Sequence, residues 1–310
     1  MTVPFGPDLA LATRIMKPRF SVIICTYNRL NYLTGLLDSW LAVEEPAGGY
    51  ELIIADDGSN ESPEAIVRSY QDKLPIRFFR FPHAGLSPTR QAALQAASGD
   101  YALFTDDDCR PCRDLLISYQ RAVEEFPDRA FGGPVVNLLT DNIYSEATQA
   151  IMTYIVGAWN STPSGPQFFT GSNLLFPREK LLQIGAFDTS WSGAGEERDA
   201  CRRWAENGLK MSNVPAACVG HMHHLTLKGF LRQHHHYGRG SWWCENRRRK
   251  PDAGAPGWSG IFFYIKLLLY PFGRYPLKKS LGICCLVMCA QLATFCGSLQ
   301  SRFLHRRGRK

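Results

Sequence analysis

The sequence predicts an α/β protein built on a doubly wound, mostly parallel sheet. Three observations lead there. Short β-rich apolar runs alternate with segments of helical spacing through residues 20–105. Three of those runs stop at polar, mostly acidic residues, and ligands of such sheets bind outside the carboxyl ends of the strands. The ten cysteines are scattered along 310 residues without a repeated spacing, so a buried core rather than a disulfide framework must hold the chain.

The first run, Phe20-Ser-Val-Ile-Ile-Cys25, ends at Thr26-Tyr27-Asn28 and has the composition of a buried strand. Residues 30–43 follow with helical spacing at Leu33, Leu36, Leu37 and Trp40. A second strand is predicted at 51–55, stopped by Asp56-Asp57-Gly58-Ser59. A helix should then begin near Ser62, a favourable cap before Pro63. Strands at 76–81 and 101–105 flank a helix at 87–97. Beyond Phe131 the pattern loosens, leaving strand candidates at 167–176 and 211–219 and a helix at 197–207. No G-x-G-x-x-G follows the first strand, which argues against a dinucleotide on a glycine-rich turn.

Charge divides the chain. Residues 241–310 hold 13 Lys and Arg against 2 Asp and Glu, while the net charge of the whole is only +7, so residues 1–240 carry −4. We read 1–240 as the globular domain and 241–310 as a basic, apolar tail. Within the tail, residues 281–299 run for 19 positions without a charge, enough to cross a bilayer. Residues 261–272 are also apolar, interrupted by Lys266 and Pro271. Basic clusters at 247–250, 278–279 and 302–310 flank both. Apolar runs with basic flanks favour an anionic membrane surface over nucleic acid, although a core helix of the soluble part fits the same run. Met1 to Lys17 lacks a basic region followed by an apolar stretch, so no cleaved leader is expected. Cys109 and Cys112 form a C-x-x-C without a second pair, and Cys284 and Cys285 fit reduced, buried thiols in a reducing compartment.

The most informative segment is Phe104-Thr-Asp106-Asp107-Asp108. Three consecutive carboxylates after an apolar strand repel one another unless a cation or donors satisfy them. Hard oxygen ligands suit Mg²⁺ or Mn²⁺, either of which can bridge a diphosphate.

Seven short segments in order resemble the family 2 glycosyltransferases of the GT-A fold. They are S-V-I-I-C-T-Y-N-R at 21–29, A-D-D-G-S at 55–59, A-S-G-D-Y at 97–101, F-T-D-D-D at 104–108, G-S-N-L-L-F at 171–176, G-A-F-D at 185–188 and G-E-E-R-D at 195–199. The resemblance implies an inverting transferase that uses a nucleotide-diphospho-sugar, with UDP the default, and a divalent cation. It places Thr26, Tyr27, Arg29, Asp57 and Asp107 at the nucleotide sugar, with Asp57 on the base. Asp106 and Asp108 become metal ligands, and Arg90 either neutralises the diphosphate or lies on a helix surface. His221, in His221-Met-His223-His224, falls where the family often has a histidine near metal or diphosphate, with His223 a second candidate. Imidazole would tilt the choice toward manganese. His234–His236 are expected on a helix surface or an acceptor loop.

Inversion needs a base for the acceptor hydroxyl. The family uses the second acid of a Glu-Asp pair at a helix N-terminus, and the pair here is Glu196-Glu197. Glu197 therefore takes the catalytic position, with Glu196 and Asp199 as alternatives. The tail implies a lipid-linked or cell-envelope glycan acceptor at the cytoplasmic face of a membrane. A sugar nucleotidyltransferase and a catalytically inactive sugar-nucleotide-binding protein are the rival functions. The first would need a glycine-rich basic loop where T-Y-N-R stands.

Overall fold

The computed structural model describes residues 18–191, 193–246 and 260–307. The amino-terminal stretch, the basic cluster at 247–250, Trp258 and the final residues 308–310 lie outside them.

Strand β1 (Phe20–Thr26) is buried at every position but Cys25, because both faces of a parallel sheet are covered. Helix α1 (Leu30–Trp40) lays Leu33, Leu36, Leu37 and Trp40 on that sheet. β2 (Tyr50–Asp56), the short α2 (Glu64–Arg68), β3 (Ile76–Arg80), α3 (Leu86–Ala96) and β4 (Tyr101–Asp106) complete the alternation. α2 begins one residue later than expected, with Pro63 at its cap. Next come β5 (Cys109–Pro111), α4 (Leu115–Glu125), β6 (Ala130–Gly132), β7 (Val135–Asn137), α5 (Ile143–Asn160), β8 (Leu174–Pro177) and α6 (Arg178–Gln183). α7 (Glu196–Glu206), β9 (Met211–Asn213), β10 (Val219–His221) and α8 (Leu227–Asn246) close the body.

The main sheet has the order β3-β2-β1-β4-β8-β6-β9. β1 pairs in parallel with β2 on one side and β4 on the other, so the chain reverses its direction of growth at β1. Thr26 is level with Asp56, and Cys25 with Asp106, which lines the acids along one edge at this switch point. β8 runs antiparallel to β4, a departure from the parallel pattern. The expected strand at 211–219 is two strands. A turn closed by Ala217 N–H on the Val214 carbonyl separates them, and β10 joins a second sheet, β5-β10-β7.

The tail packs against the body. α9 (Ile261–Leu269) stops at a 3-10 turn, Tyr270–Gly273, where Pro271 cannot continue the helix. At nine residues it is roughly 14 Å long, too short to cross a bilayer. α10 (Leu277–Arg307) lies along α8 and α5, with Ser280, Ile283, Val287, Ala290 and Ser301 buried. Residue 240, where the charge balance changes, falls inside α8. All ten thiols are free, and Cys285, read as buried, is exposed.

Candidate active site

The acid triplet, Glu196, two arginines and two histidines meet at the carboxyl edge of β1 and β4. The acid triplet is relieved from two sides. Arg29 bridges Asp107 at 2.9 Å and Asp108 at 2.5 Å, and its guanidinium lies 4.5 Å from the Tyr32 ring. Arg90, from the face of α3 turned to the sheet, holds Asp106 at 2.8 Å and Glu196 at 2.5 Å. At 3 % exposure Arg90 is no surface residue. Burial alone would lower its pKa, but Glu196 and Asp106 outweigh that and keep it charged.

Asp106 is half-buried at the cleft, whereas Asp107 and Asp108 are buried. Asp107 is buried, accepts a 2.8 Å bond from the Thr26 hydroxyl, and is pushed up by burial to about 7 against the pull of Arg29. Asp106 accepts from the Ser172 hydroxyl at 2.6 Å. Continuing the β4–β8 register by two residues sets Ser172 opposite Asp106, which explains the contact. In the second sheet His221 stands opposite Cys109, which brings its Nε2 within 3.1 Å of Asp108. Burial would raise the Asp108 carboxyl, yet the His221 hydrogen bond and charge, with Arg29, hold it far below the usual range. The His221 imidazole is correspondingly raised against its own burial.

One ligand atom each from Asp106, Asp108, Cys109 and His221 lie within 4.8 Å of one another. Two carboxylates, an imidazole and a sulfur this close fit a divalent cation of borderline hardness, Mn²⁺ more readily than Mg²⁺. His223 is not in that group. It stacks on His221 at 4.0 Å, both its ring nitrogens lack hydrogen-bond partners, and burial lowers its pKa to about 3. Cys109 and Ser172 were missed in the sequence. Cys109 directly follows the triplet and is set opposite His221 by the β5–β10 register, and Ser172 is the serine of G-S-N at 171–173, which the β4–β8 register carries to Asp106.

Asp57 is fully engaged. Its carboxylate accepts from the backbone N–H of Ala84 (2.9 Å) and Gly85 (3.0 Å) and from the Thr89 hydroxyl (2.8 Å), and it meets His83 Nδ1 at 2.9 Å. It thereby fixes the entry to α3 and sets the His83 ring against Tyr27, with 4.1 Å between centroids and 12° between planes.

α7 presents the acid pair. Gly195 caps it at φ +98°, a left-handed backbone that favours glycine, and Glu196 and Glu197 open the first turn. Glu196 is buried on Arg90, whereas half-buried Glu197 lines a cleft of about 260 Å³ shared with Arg90, Asp106, His221 and Tyr237. Asp199 is turned away. Ion pairs with Arg202 (2.6 Å) and Arg203 (2.8 Å) hold it at a separate hollow. His234, expected at a surface, is buried with Nε2 3.4 Å from the Thr148 hydroxyl.

A mostly parallel sheet with a mixed-donor acidic cluster at its switch point is the GT-A arrangement. The chain belongs to glycosyl transferase family 2, whose profile matches residues 21–185. The chondroitin synthase of Escherichia coli is 27 % identical over 239 residues, 65 % of this chain and 34 % of that protein. This chain thus spans about a third of that relative's length. A dolichyl N-acetyl-alpha-D-glucosaminyl phosphate 3-beta-D-2,3-diacetamido-2,3-dideoxy-beta-D-glucuronosyltransferase of Methanococcus voltae is 22 % identical, covering 70 % of this chain and 71 % of that one. Among solved structures, a Pyrobaculum calidifontis mannosyltransferase in complex with GDP-Man and Mn²⁺ superposes with a TM-score of 0.61 at 19 % identity, over 94 % of this chain and 80 % of that one. TarS 1–349 of S. aureus with UDP-GlcNAc gives 0.58 at 14 % identity, over 94 % and 92 %.

Proposed function

We propose that this protein is an inverting glycosyltransferase. It moves a sugar from a nucleotide-diphospho-sugar, UDP-linked by default, to a lipid-linked or cell-envelope glycan acceptor at the cytoplasmic face of a membrane. The observation that carries this is Glu197, half-exposed on a helix N-terminus in one cleft with Arg90, Asp106 and His221.

Thr26, Tyr27, Arg29 and Asp57 form the nucleotide end. The Tyr27–His83 stack offers an aromatic surface to a base, held in place by Asp57. Arg90 and Arg29 supply positive charge beside the diphosphate. Asp106, Asp108 and His221 would hold Mn²⁺ or Mg²⁺, which supplies further positive charge against the leaving group. In the transfer the acceptor oxygen bonds to the anomeric carbon from the face opposite the diphosphate. The bond from that carbon to the diphosphate oxygen breaks, leaving its electron pair on the nucleoside diphosphate. Glu197 takes the hydroxyl proton. Glu196 stays on Arg90, and Asp199 stays with its arginines.

The test is nucleotide release from UDP-, GDP- and dTDP-sugars with Mn²⁺, with and without an alkyl glycoside acceptor. Glu197→Gln should slow release at least about 100-fold while donor affinity holds. A larger loss in Glu196→Gln or Asp199→Asn would move the base. Binding without release would mark an inactive binding protein, and formation of sugar nucleotide from nucleoside triphosphate and sugar 1-phosphate a nucleotidyltransferase.

A further inference from the structure

The cleft that holds Glu197 has a mostly apolar lining. Its apolar residues are Val135, Ile151, Met152, Ile155, Trp159 and Phe168, with Thr148 and Gln149 of α5 beside them. Trp159 and Phe168 are fixed edge to face, 6.4 Å apart, because Asn160 at the end of α5 binds the backbone of residues 167 and 168. The apolar wall begins beside the base. Arg198, the next residue after Glu197, has its guanidinium 5.0 Å from the Trp159 ring.

A purely carbohydrate acceptor would set part of its hydroxyls against Ile151, Met152 and Ile155, which offer no hydrogen bonds in return. Each hydroxyl left unpaired there gives up its bonds to water without replacement. α10 also lines the cleft, through Gln291 and Thr294, beside Gln233, His234 and Tyr237 of α8. The sequence neighbours of Gln291 and Thr294, Leu292 and Phe295, point outward at 65 % and 59 % exposure. One helix thickness, about 10 Å, therefore separates the cleft from an outward apolar face.

We infer that the acceptor is an amphipathic lipid whose reacting hydroxyl lies beside its hydrocarbon, and that the chain occupies the arm between α5 and α10. Such an acceptor is a lipid alcohol or a lipid bearing a small head, rather than the remote end of a long glycan. The inference rests on the transferase reading above and sharpens it.

The test uses the full chain in nanodiscs of mixed neutral and anionic lipid, labelled by a diazirine-tailed fatty alcohol and mapped by mass spectrometry. Labels are expected on residues 151–168. Dodecyl β-glucoside should compete them away and methyl β-glucoside should not. Ile155→Asp places a charge in the arm and should cut labelling there at least about fivefold, with UDP binding as the check on folding. Labels confined to the outer residues of α9 and α10, or labels at 151–168 that both glucosides displace equally, would overturn the inference. The wild-type competition stands even if Ile155→Asp does not fold. Failure of the wild-type chain to bind any nucleotide sugar would count instead against the transferase reading.

Discussion

Arg90 shows how one residue can couple donor and acceptor chemistry. It is the cation shared by Asp106, at the metal site, and Glu196, beside the base. Removing it leaves two carboxylates facing each other without a counter-charge. Arg90→Met should therefore destabilise the fold by about 3–5 kcal/mol, measured by denaturant unfolding. Arg90→Lys keeps the charge but loses the fork that reaches two acids, so it should fold and bind nucleotide sugar at least about tenfold more weakly. Asp108→Asn should abolish the metal dependence of donor binding, and calorimetry showing the same affinity with and without Mn²⁺ in wild type and variant would refute the ligand assignment. His234 gives a pH dependence. Burial against Phe230 and Tyr237 lowers its pKa to about 4, so the folded state favours the neutral ring. Its stabilising contribution is complete above the unfolded value near 6.5 and is lost as pH falls toward 4. Between pH 7 and 5 the fold should lose about 2 kcal/mol through this residue, and His234→Phe should flatten that part of the curve.

At the scale of elements, α8 is wedged between the tail and the acid pair by glycines. A Cβ on Gly238 would sit 1.9 Å from the Thr294 carbonyl oxygen of α10, and one on Gly240 2.1 Å from the Ala194 carbonyl oxygen just before α7. Gly297 of α10 would meet the His235 carbonyl oxygen at 2.0 Å, and the Ser298 hydroxyl donates to the Gly238 carbonyl at 2.8 Å. Backbone cannot yield as a side chain can. Gly240→Ala should therefore cost about 1–3 kcal/mol and shift Ala194 and Gly195, lowering kcat more than donor affinity. Gly157, within α5, has nothing within 4 Å of its added Cβ, and Gly157→Ala should stabilise by up to about 1 kcal/mol. Opposite signs for one substitution would separate contact from propensity. None of these helix contacts was legible in the sequence. β1, β2 and β4 were, because burial on both faces forces an unbroken apolar run, and so was the acid triplet that ends β4. The site needed partners far apart in the chain: Arg90 meets Glu196 across 106 residues, and His221 meets Asp108 across 113. Local pattern carries no record of such pairings. β8 was blurred for a related reason, since a four-residue strand, parted from Phe168 and Phe169 by Thr170-Gly171-Ser172-Asn173, shows neither length nor direction.

At the scale of the molecule, α10 turns most of its large apolar residues outward. Its buried positions are Ser280, Ile283, Val287, Ala290, Gly297 and Ser301, whereas Leu281, Met288, Leu292, Phe295 and Phe303 are exposed at 52–65 %. Small residues let α8 approach closely, as between helices in lipid. The outward residues make an exposed apolar face, of the kind that marks a contact with lipid or with another protein. Among the described residues α10 alone is long and apolar enough to cross a membrane. Yet Lys279 is tied to Glu146 at 3.2 Å and Gln291 lines the cleft, so the helix is bound to the body along its length. We propose that the helix lies in a membrane interface, apolar face down and Lys278 and Arg302 at the headgroups, an arrangement compatible with both sets of contacts. Cutting the chain at 240 would sever α8 and uncover Phe230, Gly238 and Ile151, so residues 1–240 alone should unfold at lower temperature than the full chain. Leu292→Asp with Phe295→Asp tests the face without touching the body. The double variant should keep the wild-type melting temperature, because neither side chain is buried, while its fraction bound to anionic vesicles falls at least about tenfold. Wild-type protein that stays in the supernatant with such vesicles at low salt, without detergent, would show that the outward face meets something other than lipid.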